Sequence, residues 1–266
     1  MLGKLIKYDL KAVSGVLALI HGALLVIALS ARMVFIPHML YIETEESIMS
    51  ILLFFVLIIA LVGTSYATYI FICVRFYKNI YSDEGYLTNT LPVTSGQLLL
   101  SKTISGSIWG TINMACIFLS IYLVFIQPIY HASTAEELAL FHSIFGFSSM
   151  QFSIFFIASL LLSVVANVVM FYFSIILGQL FSAHRIIGAI ASYFVLNTVI
   201  SILSTIVVFL SGNSSLLFAT TYNTSSEFLF DYMFRLLIPV DILMFITTAV
   251  FYILSFYFMK KKRNLV

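Results

Sequence analysis

The sequence contains few charged residues for its length. Asp, Glu, Lys and Arg together make up 9% of the 266 residues, whereas 62% are hydrophobic. A typical soluble domain has about a quarter of its residues charged, so this chain has too few polar side chains to cover an ordinary soluble core. The composition therefore predicts an integral membrane protein, for which we expect contact with lipid and none with nucleic acid.

Cysteine is nearly absent as well. Only Cys73 and Cys116 occur, and both fall within or at the edge of apolar runs, which excludes a disulfide framework. No spacing of His, Cys, Asp or Glu is typical of a metal site, and no arrangement of Ser, His and Asp is typical of a hydrolase. We therefore expect no catalytic residue, metal or cofactor in this chain, and intramembrane catalysis is the least favoured function.

Long apolar runs are what the chain has instead. A helix needs about 20 mostly apolar residues to cross about 30 Å of hydrocarbon, and continuous rather than alternating runs favour helices over a strand barrel. Six runs meet this length, which predicts an all-α integral membrane protein with a single transmembrane domain over residues 1–266. The predicted spans are 12–35, 48–74, 103–127, 152–177, 187–210 and 236–259.

Basic residues predict the orientation of these spans, because Lys and Arg near span ends stay on the cytoplasmic side. Most of the 13 basic residues fall on one side of the predicted spans, which predicts that both termini are cytoplasmic. They are Lys4, Lys7, Lys11, Arg75, Lys78, Lys102, Arg185, Lys260, Lys261, Lys262 and Arg263. The basic run at 260–263 also favours contact with anionic lipid. We expect a multi-pass protein of a bacterial plasma membrane.

The segment 96–103, Gly-Gln-Leu-Leu-Leu-Ser-Lys-Thr, lacks one Gly of a phosphate-binding loop. Such a loop follows a buried strand, whereas Pro92 precedes this segment. Thr94 followed by Gln97 matches a capping box, which predicts a helix from residue 95 running into the third span. ATP binding here is therefore disfavoured, and we expect Lys102 at the inner lipid boundary as a topology anchor.

The connection 75–102 is the longest predicted cytoplasmic one, and it carries Asp83 and Glu84 on a side where cations dominate. Gly85 destabilises a helix interior by about 1 kcal/mol, so we expect a helical piece before it, a break, and a second piece ending near Leu91. Exposed apolar residues beside two acids suit the groove of a partner protein. They suit equally an interfacial helix that dips into lipid.

Several stretches of the chain resemble a known family. The sequences Glu84-Gly85-Tyr86-Leu87, Thr90-Leu91-Pro92 and Leu98-Leu99-Leu100-Ser101-Lys102 look like the cytoplasmic loop of permease subunits of type-2 ATP-binding cassette (ABC) exporters. The opening sequence Met-Leu-Gly-Lys-Leu-Ile-Lys-Tyr-Asp-Leu is similar to the N-terminal interfacial helix of those subunits. The turn at 93–95 departs from the family, because it lacks the basic residues that many relatives carry there.

The resemblance implies a half-transporter without an ATPase site of its own. Two six-span permease subunits, alike or related, would form the pathway, and separate cytoplasmic ATPase subunits with their ATP and Mg would dock on the loop between spans 2 and 3. The resemblance implies that the coupling helix and its flank consist of Asp83, Glu84, Gly85, Tyr86, Leu87, Leu91 and Pro92. It also implies short outer helices that gate the exit, within 212–235, a region that composition alone predicts to be an interfacial helix.

Polar and aromatic residues in or near the spans are candidates for a substrate pathway or gate. These candidates are Asn113, Asn167, Asn197, Phe228 and Asp241. For the three Asn residues, joining helices is favoured over lining a route, since unsatisfied amides are costly in lipid. Asp241 either lies at the level of the lipid headgroups or contacts substrate or a neighbouring subunit.

Two further features of the spans concern helix contacts. His21 lies in the first span, and a buried, hydrogen-bonded histidine is favoured over a proton relay because no carboxylate partner is evident. Gly106 and Gly110 form a small-xxx-small pair in the third span, which predicts close helix packing.

Three functions fit these features. The favoured one is a permease subunit that couples ATP hydrolysis by a partner to export of an amphipathic or hydrophobic compound, such as a peptide or drug. An ion-gradient-driven transporter would need charged residues paired deep in several spans, and His21 and Asp241 are the only candidates. A non-transporting membrane sensor or scaffold would bind a partner at the inner loop without an ATPase cycle.

Overall fold

The computed structural model describes residues 2–41, 48–82, 85, 92–126, 139, 149–181, 184–213 and 226–263. Over these residues the chain is helical, with short turns and bends but no strand. It divides into two compact units, Met1–Ser133 and Thr134–Val266. Whether they act as the single predicted membrane domain stays a prediction.

Each unit contains three long helices in its described part. Unit 1 contains α1 (Leu2–Tyr41), α2 (Ile48–Tyr81) and α3 (Ser95–Ile121), and α3 continues as a π-helical segment, Tyr122–Ile126. Unit 2 contains α4 (Ser149–Gly178), α5 (Arg185–Val208) and α6 (Ser226–Arg263), with a π-helical segment, Phe209–Asn213, after α5.

All six helices contain a segment that is long and apolar enough to cross a membrane. These segments are Leu2–Val34, Ile51–Tyr81, Ser95–Val124, Ser153–Gly178, Arg185–Ser211 and Leu236–Lys261. Large apolar side chains point outward from them; for example, Leu19 and Phe194 are 72% and 63% exposed. Such surfaces suit contact with lipid. The prediction of six apolar helices of spanning length is confirmed, whereas the side on which each end lies stays a prediction.

The first helix differs from the prediction at its start. The family resemblance implies an interfacial helix over the first ten residues, and the apolar run predicts a span from residue 12, but one unbroken helix covers Leu2–Tyr41. Its buried face packs against α2 and α3, and it begins as early as Asp9. Farther along, the buried positions alternate in steps of four and three: Leu17, His21, Leu24, Ala28 and Ala31. Packing therefore extends into the segment before residue 12, which the predicted first span leaves out.

The chain breaks after α2 at Ser82, three residues before the break that the sequence predicts at Gly85, and Gly85 itself is helical. The chain bends at Ser82, and the Gly85 N–H donates to the Ser82 carbonyl oxygen at 2.7 Å. A Cβ atom at Gly85 would lie 2.5 Å from the Ile80 carbonyl oxygen, so no side chain fits there without a backbone shift. The chain therefore turns closely onto the end of α2 at this glycine.

The third helix starts as the sequence predicts. Thr94 Oγ1 accepts a hydrogen bond from the Gln97 N–H at 3.2 Å, and Gln97 Oε1 accepts one from the Thr94 N–H at 3.3 Å. This reciprocal pair satisfies two backbone donors that a helix start would leave unpaired. The capping box and the helix that runs from residue 95 into the third span are both confirmed.

The last helix includes part of the region where outer helices were expected. Residues 226–235 belong to the same helix as the final span, which continues through Pro239 to Arg263. They are therefore the start of α6 rather than a separate outer helix. The helix continues across Pro239 because membrane helices tolerate proline without breaking. Residues 214–225 lie outside the described residues.

In unit 2, α4 packs against both α5 and α6. A Cβ atom at Gly178 would lie 2.5 Å from the Ala189 backbone nitrogen, so the glycine permits close approach of α5. Aromatic pairs hold the same helices: the Phe171 and Tyr193 ring centroids are 4.5 Å apart, and those of Phe173 and Phe251 are 4.9 Å apart.

Replacing Thr94 by Ala should loosen the start of α3, because it removes the side-chain acceptor of the capping box. We expect a local loss of about 1 kcal/mol, seen as roughly fivefold faster hydrogen exchange of the Gln97 amide. Thr94→Ser keeps the hydroxyl and should exchange at the wild-type rate. Equal exchange rates in all three proteins would show that the cap does not stabilise the helix start.

Candidate functional site

One carboxylate, that of Asp9 in α1, contacts both α2 and α3 at the same end of unit 1. Lys102 Nζ donates to Asp9 Oδ1 at 2.5 Å, and Asn79 Nδ2 donates to the same oxygen at 3.3 Å. All three residues are buried, with exposed fractions of 8% for Asp9, 5% for Lys102 and 6% for Asn79. A buried ion pair leaves two uncompensated charges if it is separated, so these three residues fix the helices to one another.

This geometry corrects the prediction for Lys102. The sequence predicts a cation at the inner lipid boundary, whereas the side chain is buried and ion-paired with Asp9. A charge buried between helices needs a partner, and α1 supplies it. The lysine of the near-match to a phosphate loop is therefore already engaged within the protein.

The three residues also bracket the connection between α2 and α3. Asn79 precedes the bend at Ser82 by less than one helical turn, and Lys102 lies about two turns into α3. Asp9 therefore holds both arms of the connection against α1. We refer to Asp9, Asn79 and Lys102 as the Asp9 clamp.

A second polar cluster lies about 18 Å farther along α1. His21 Nε2 is 3.2 Å from Asn113 Oδ1 of α3 and 3.4 Å from Thr68 Oγ1 of α2. Thr68 Oγ1 also donates to Asn113 Oδ1 at 3.3 Å, and Asn113 Nδ2 donates to Ser65 Oγ at 3.4 Å. The cluster joins all three helices of unit 1, and Asn113 satisfies its amide inside it.

The groups around His21 are uncharged. Because Asn113 Oδ1 can only accept, we infer that His21 Nε2 carries a proton. The ring of Trp109 lies parallel to the imidazole, with the centroids 6.5 Å apart. A carboxylate is absent from the described contacts of His21. The prediction of a buried, hydrogen-bonded histidine is confirmed.

A third polar contact ties α1 to the end of α3. Arg32 Nη1 donates to the Leu123 carbonyl oxygen at 3.0 Å, within the π-helical segment. A π-helical segment changes the pairing of backbone carbonyls, which explains how this one can accept from a side chain. Unit 1 thus has polar contacts to α1 at three positions along that helix.

Unit 2 has a different polar feature. Ser159 Oγ of α4 donates to Asp241 Oδ2 of α6. Ser163 and Asn167 follow Ser159 at intervals of four residues, so all three lie on one face of α4. Ser163 Oγ donates to the Leu160 carbonyl oxygen, and Asn167 Nδ2 to that of Ser163, both at 2.8 Å. Asp241, Ser159, Ser163 and Asn167, which we call the unit 2 polar face, are each only half-buried.

The remaining predicted site residues do not gather at one place. Gly106 and Gly110 lie on the buried side of α3, and Asn197 is exposed on α5. Pro92 is exposed at the bend before α3. The residues Asp83, Glu84, Tyr86, Leu87 and Leu91 and the side chain of Phe228 lie outside the described residues.

Sequence reasoning missed several residues of these clusters. Asp9, Asn79, Thr68 and Ser159 were not singled out as partners, because each pairs with a residue more than 40 positions away. One signal was available: Asp9 is an acid among the basic residues of the opening segment.

Comparisons with other proteins add no assignment. The chain matches no protein-family model, no curated protein and no solved structure. Within the described residues, His, Cys, Asp and Glu side chains form no group of three that could hold a metal ion. The polar clusters are therefore the candidate functional sites of the chain.

Removing one member of the Asp9–Lys102 pair should destabilise unit 1 strongly. We expect Asp9→Leu or Lys102→Met alone to cost about 3 kcal/mol, because each removes the oppositely charged partner of a buried side chain, and the double variant to cost much less than the two losses together. Thermal unfolding of the four detergent-solubilised proteins measures this coupling. Lys11→Met removes an exposed cation of the same helix and should leave the unfolding temperature unchanged. Additive losses in the double variant would contradict a pairwise interaction.

Proposed function

We propose that this chain is a permease subunit of an ATP-driven exporter of the ABC type, acting with separate cytoplasmic ATPase subunits. Six helices of spanning length supply the membrane part. The resemblance of stretches within 84–102 and of the first ten residues to such permeases supports this family. The observation that carries the mechanism is the Asp9 clamp, which holds both arms of the predicted docking loop to α1.

The clamp suits the transmission of force from the loop to the helices. In the proposed cycle, ATP closes the paired ATPase subunits and their docking grooves move the loop. Because Asn79 and Lys102 share the Asp9 carboxylate, displacement of the loop acts on α1, α2 and α3 together. The two states of the complex differ in their contacts with the loop, and this difference is what couples hydrolysis to transport.

The tight turn at Gly85 supports the same mechanism. A flexible linker would absorb the movement of a docked partner, whereas Gly85 packs directly on the Ile80 backbone at the end of α2. Displacement of Gly85 therefore acts directly on the end of α2.

The resembling family also suggests the topology, the number of subunits, the nucleotide and the cargo. Both termini lie in the cytoplasm of a bacterial cell, and two permease subunits, alike or related, form the pathway. ATP and Mg belong to the ATPase partner. The cargo is an amphipathic or hydrophobic compound, and the pathway includes Asn167 and Asp241 of the unit 2 polar face. Asn113 joins helices instead, since its amide is engaged in the His21 cluster.

A second candidate, an ion-gradient-driven transporter, is favoured by one observation. Asp9 and Lys102 are oppositely charged and buried, as coupled ion sites often are. The pair lies near the ends of α1 and α3, however, and the deeper His21 contacts only uncharged groups among the described residues. This arrangement suits a structural clamp better than an ion pathway across the membrane.

The partner should be recovered with the protein. Purification of the chain from its native membrane at low detergent should bring down an ATPase subunit that contains Walker motifs, identified by mass spectrometry. An ATPase-free preparation that still accumulates substrate in response to an ion gradient would favour the second candidate and contradict the first.

Replacing Glu84 and Leu87 together by Ala should uncouple the complex. We expect ATP hydrolysis to persist while ATP-dependent uptake of fluorescent amphiphiles into inside-out vesicles falls by at least about tenfold. A change of this size corresponds to a coupling free energy in the usual range. The double variant Glu84→Asp with Leu87→Met keeps charge and apolar volume and should transport normally. Unchanged uptake in the Ala variant would count decisively against docking at this loop.

A further inference from the structure

Asp241 is an acid within the membrane-spanning part of α6. It lies about 8 Å along the helix from Leu236, the first residue of the span that the sequence predicts over 236–259. An ionised carboxylate at such depth is costly unless it faces protein or water and meets a positive charge. Its position therefore makes Asp241 a candidate for binding a cation.

The described part of unit 2 supplies a hydrogen bond to Asp241 but no cation. Ser159 Oγ donates to Asp241 Oδ2, which stabilises the carboxylate without neutralising it. Among the described side chains of the unit, Arg185 begins α5 at the opposite end of the helices, and Lys260 and Lys261 lie about 28 to 30 Å farther along α6 than Asp241. The side chain of Arg235, six residues before Asp241, lies outside the described residues. The charge of Asp241 is thus uncompensated by the described part of its own unit.

Two kinds of surface adjoin this carboxylate. On α4, the unit 2 polar face continues for about 12 Å through Ser163 and Asn167, and it is only half-buried. On α6, Phe245 lies one turn beyond Asp241 on the same face and is 63% exposed. A carboxylate beside an exposed aromatic ring suits an organic cation, because the ring face also attracts positive charge.

We infer that Asp241 binds the positively charged group of an amphipathic substrate and that Phe245 contacts its apolar body. This inference rests on the proposed exporter function, and it narrows the cargo to amphipathic cations. The carboxylate selects for charge, and Ser159 holds it in place as a positioning residue. A bare metal ion fits less well, because such ions take six or more oxygen ligands and the described residues offer one carboxylate and one hydroxyl.

A matched pair of probes tests the role of charge. Tetraphenylphosphonium and tetraphenylborate share size and shape but carry opposite charges, and their binding to the purified full chain in lipid nanodiscs can be measured without any ATPase. We expect Asp241→Asn to weaken tetraphenylphosphonium binding by at least about tenfold and to leave tetraphenylborate binding the same or stronger. Asp241→Glu should retain binding of the cation, and Phe245→Ala should weaken binding of both probes.

The controls separate binding from folding. Thr205→Val changes an exposed residue of α5 and should bind both probes as the wild type does. Size-exclusion profiles and unfolding temperatures report whether each variant is intact, and Ser159→Ala, a milder change at the same place, should weaken cation binding less than Asp241→Asn does.

Three results would overturn the inference. The first is equal tetraphenylphosphonium affinity in the wild type and Asp241→Asn. The second is a parallel loss of both probes in Asp241→Asn, or an equal loss of the cation in Asp241→Glu. The third is a change of oligomeric state in Asp241→Asn at unchanged cation affinity, which would assign Asp241 to a subunit contact. Failure here leaves the ATPase partnership standing, because that partnership is tested by co-purification and coupling.

Discussion

Hydrocarbon offers no hydrogen-bond partners, so the arrangement of unit 1 depends on how its buried charges are paired. Asp9 makes the central contact, because one of its carboxylate oxygens accepts hydrogen bonds from Lys102 of α3 and from Asn79 of α2. Each of the three residues would be costly to bury alone. Together they make the ends of α1, α2 and α3 a single mechanical element. The His21 cluster and the Arg32 contact repeat this joining of helices at two further levels.

The two units use polar side chains differently. In unit 1 the polar groups are buried and turned toward one another, which stabilises the packing of three helices. In unit 2 the acid and its neighbours on α4 are half-buried, and their remaining surface is open to another molecule. Buried clusters that join three helices suit the transmission of movement, whereas a half-buried polar face suits the recognition of a ligand. The proposed exporter needs both properties in one chain.

The sequence predicts the helices well and their contacts poorly, for a physical reason. The length of an apolar run determines where a helix can span, and a capping box involves only neighbouring residues. The six spans and the start of α3 can therefore be predicted from the sequence. The Asp9–Lys102 pair joins residues 93 positions apart, and nothing local shows that their faces meet. The unbroken α1 was missed likewise, because hydropathy does not register packing. His21 was placed correctly, since a histidine without a carboxylate in lipid has to find neutral partners.

The central claim, that the clamp makes α1 and α3 move together, is tested most directly by a distance measurement. Spin labels at the exposed positions Tyr8 and Leu100, with Cys73 and Cys116 replaced by Ala, report the separation of the two helices beside the clamp. In the complex with its ATPase, pulsed electron paramagnetic resonance should give the same distance with and without a non-hydrolysable ATP analogue. In a Lys102→Met background the distance should change or broaden with nucleotide. A nucleotide-dependent shift of similar size in both proteins would contradict the account.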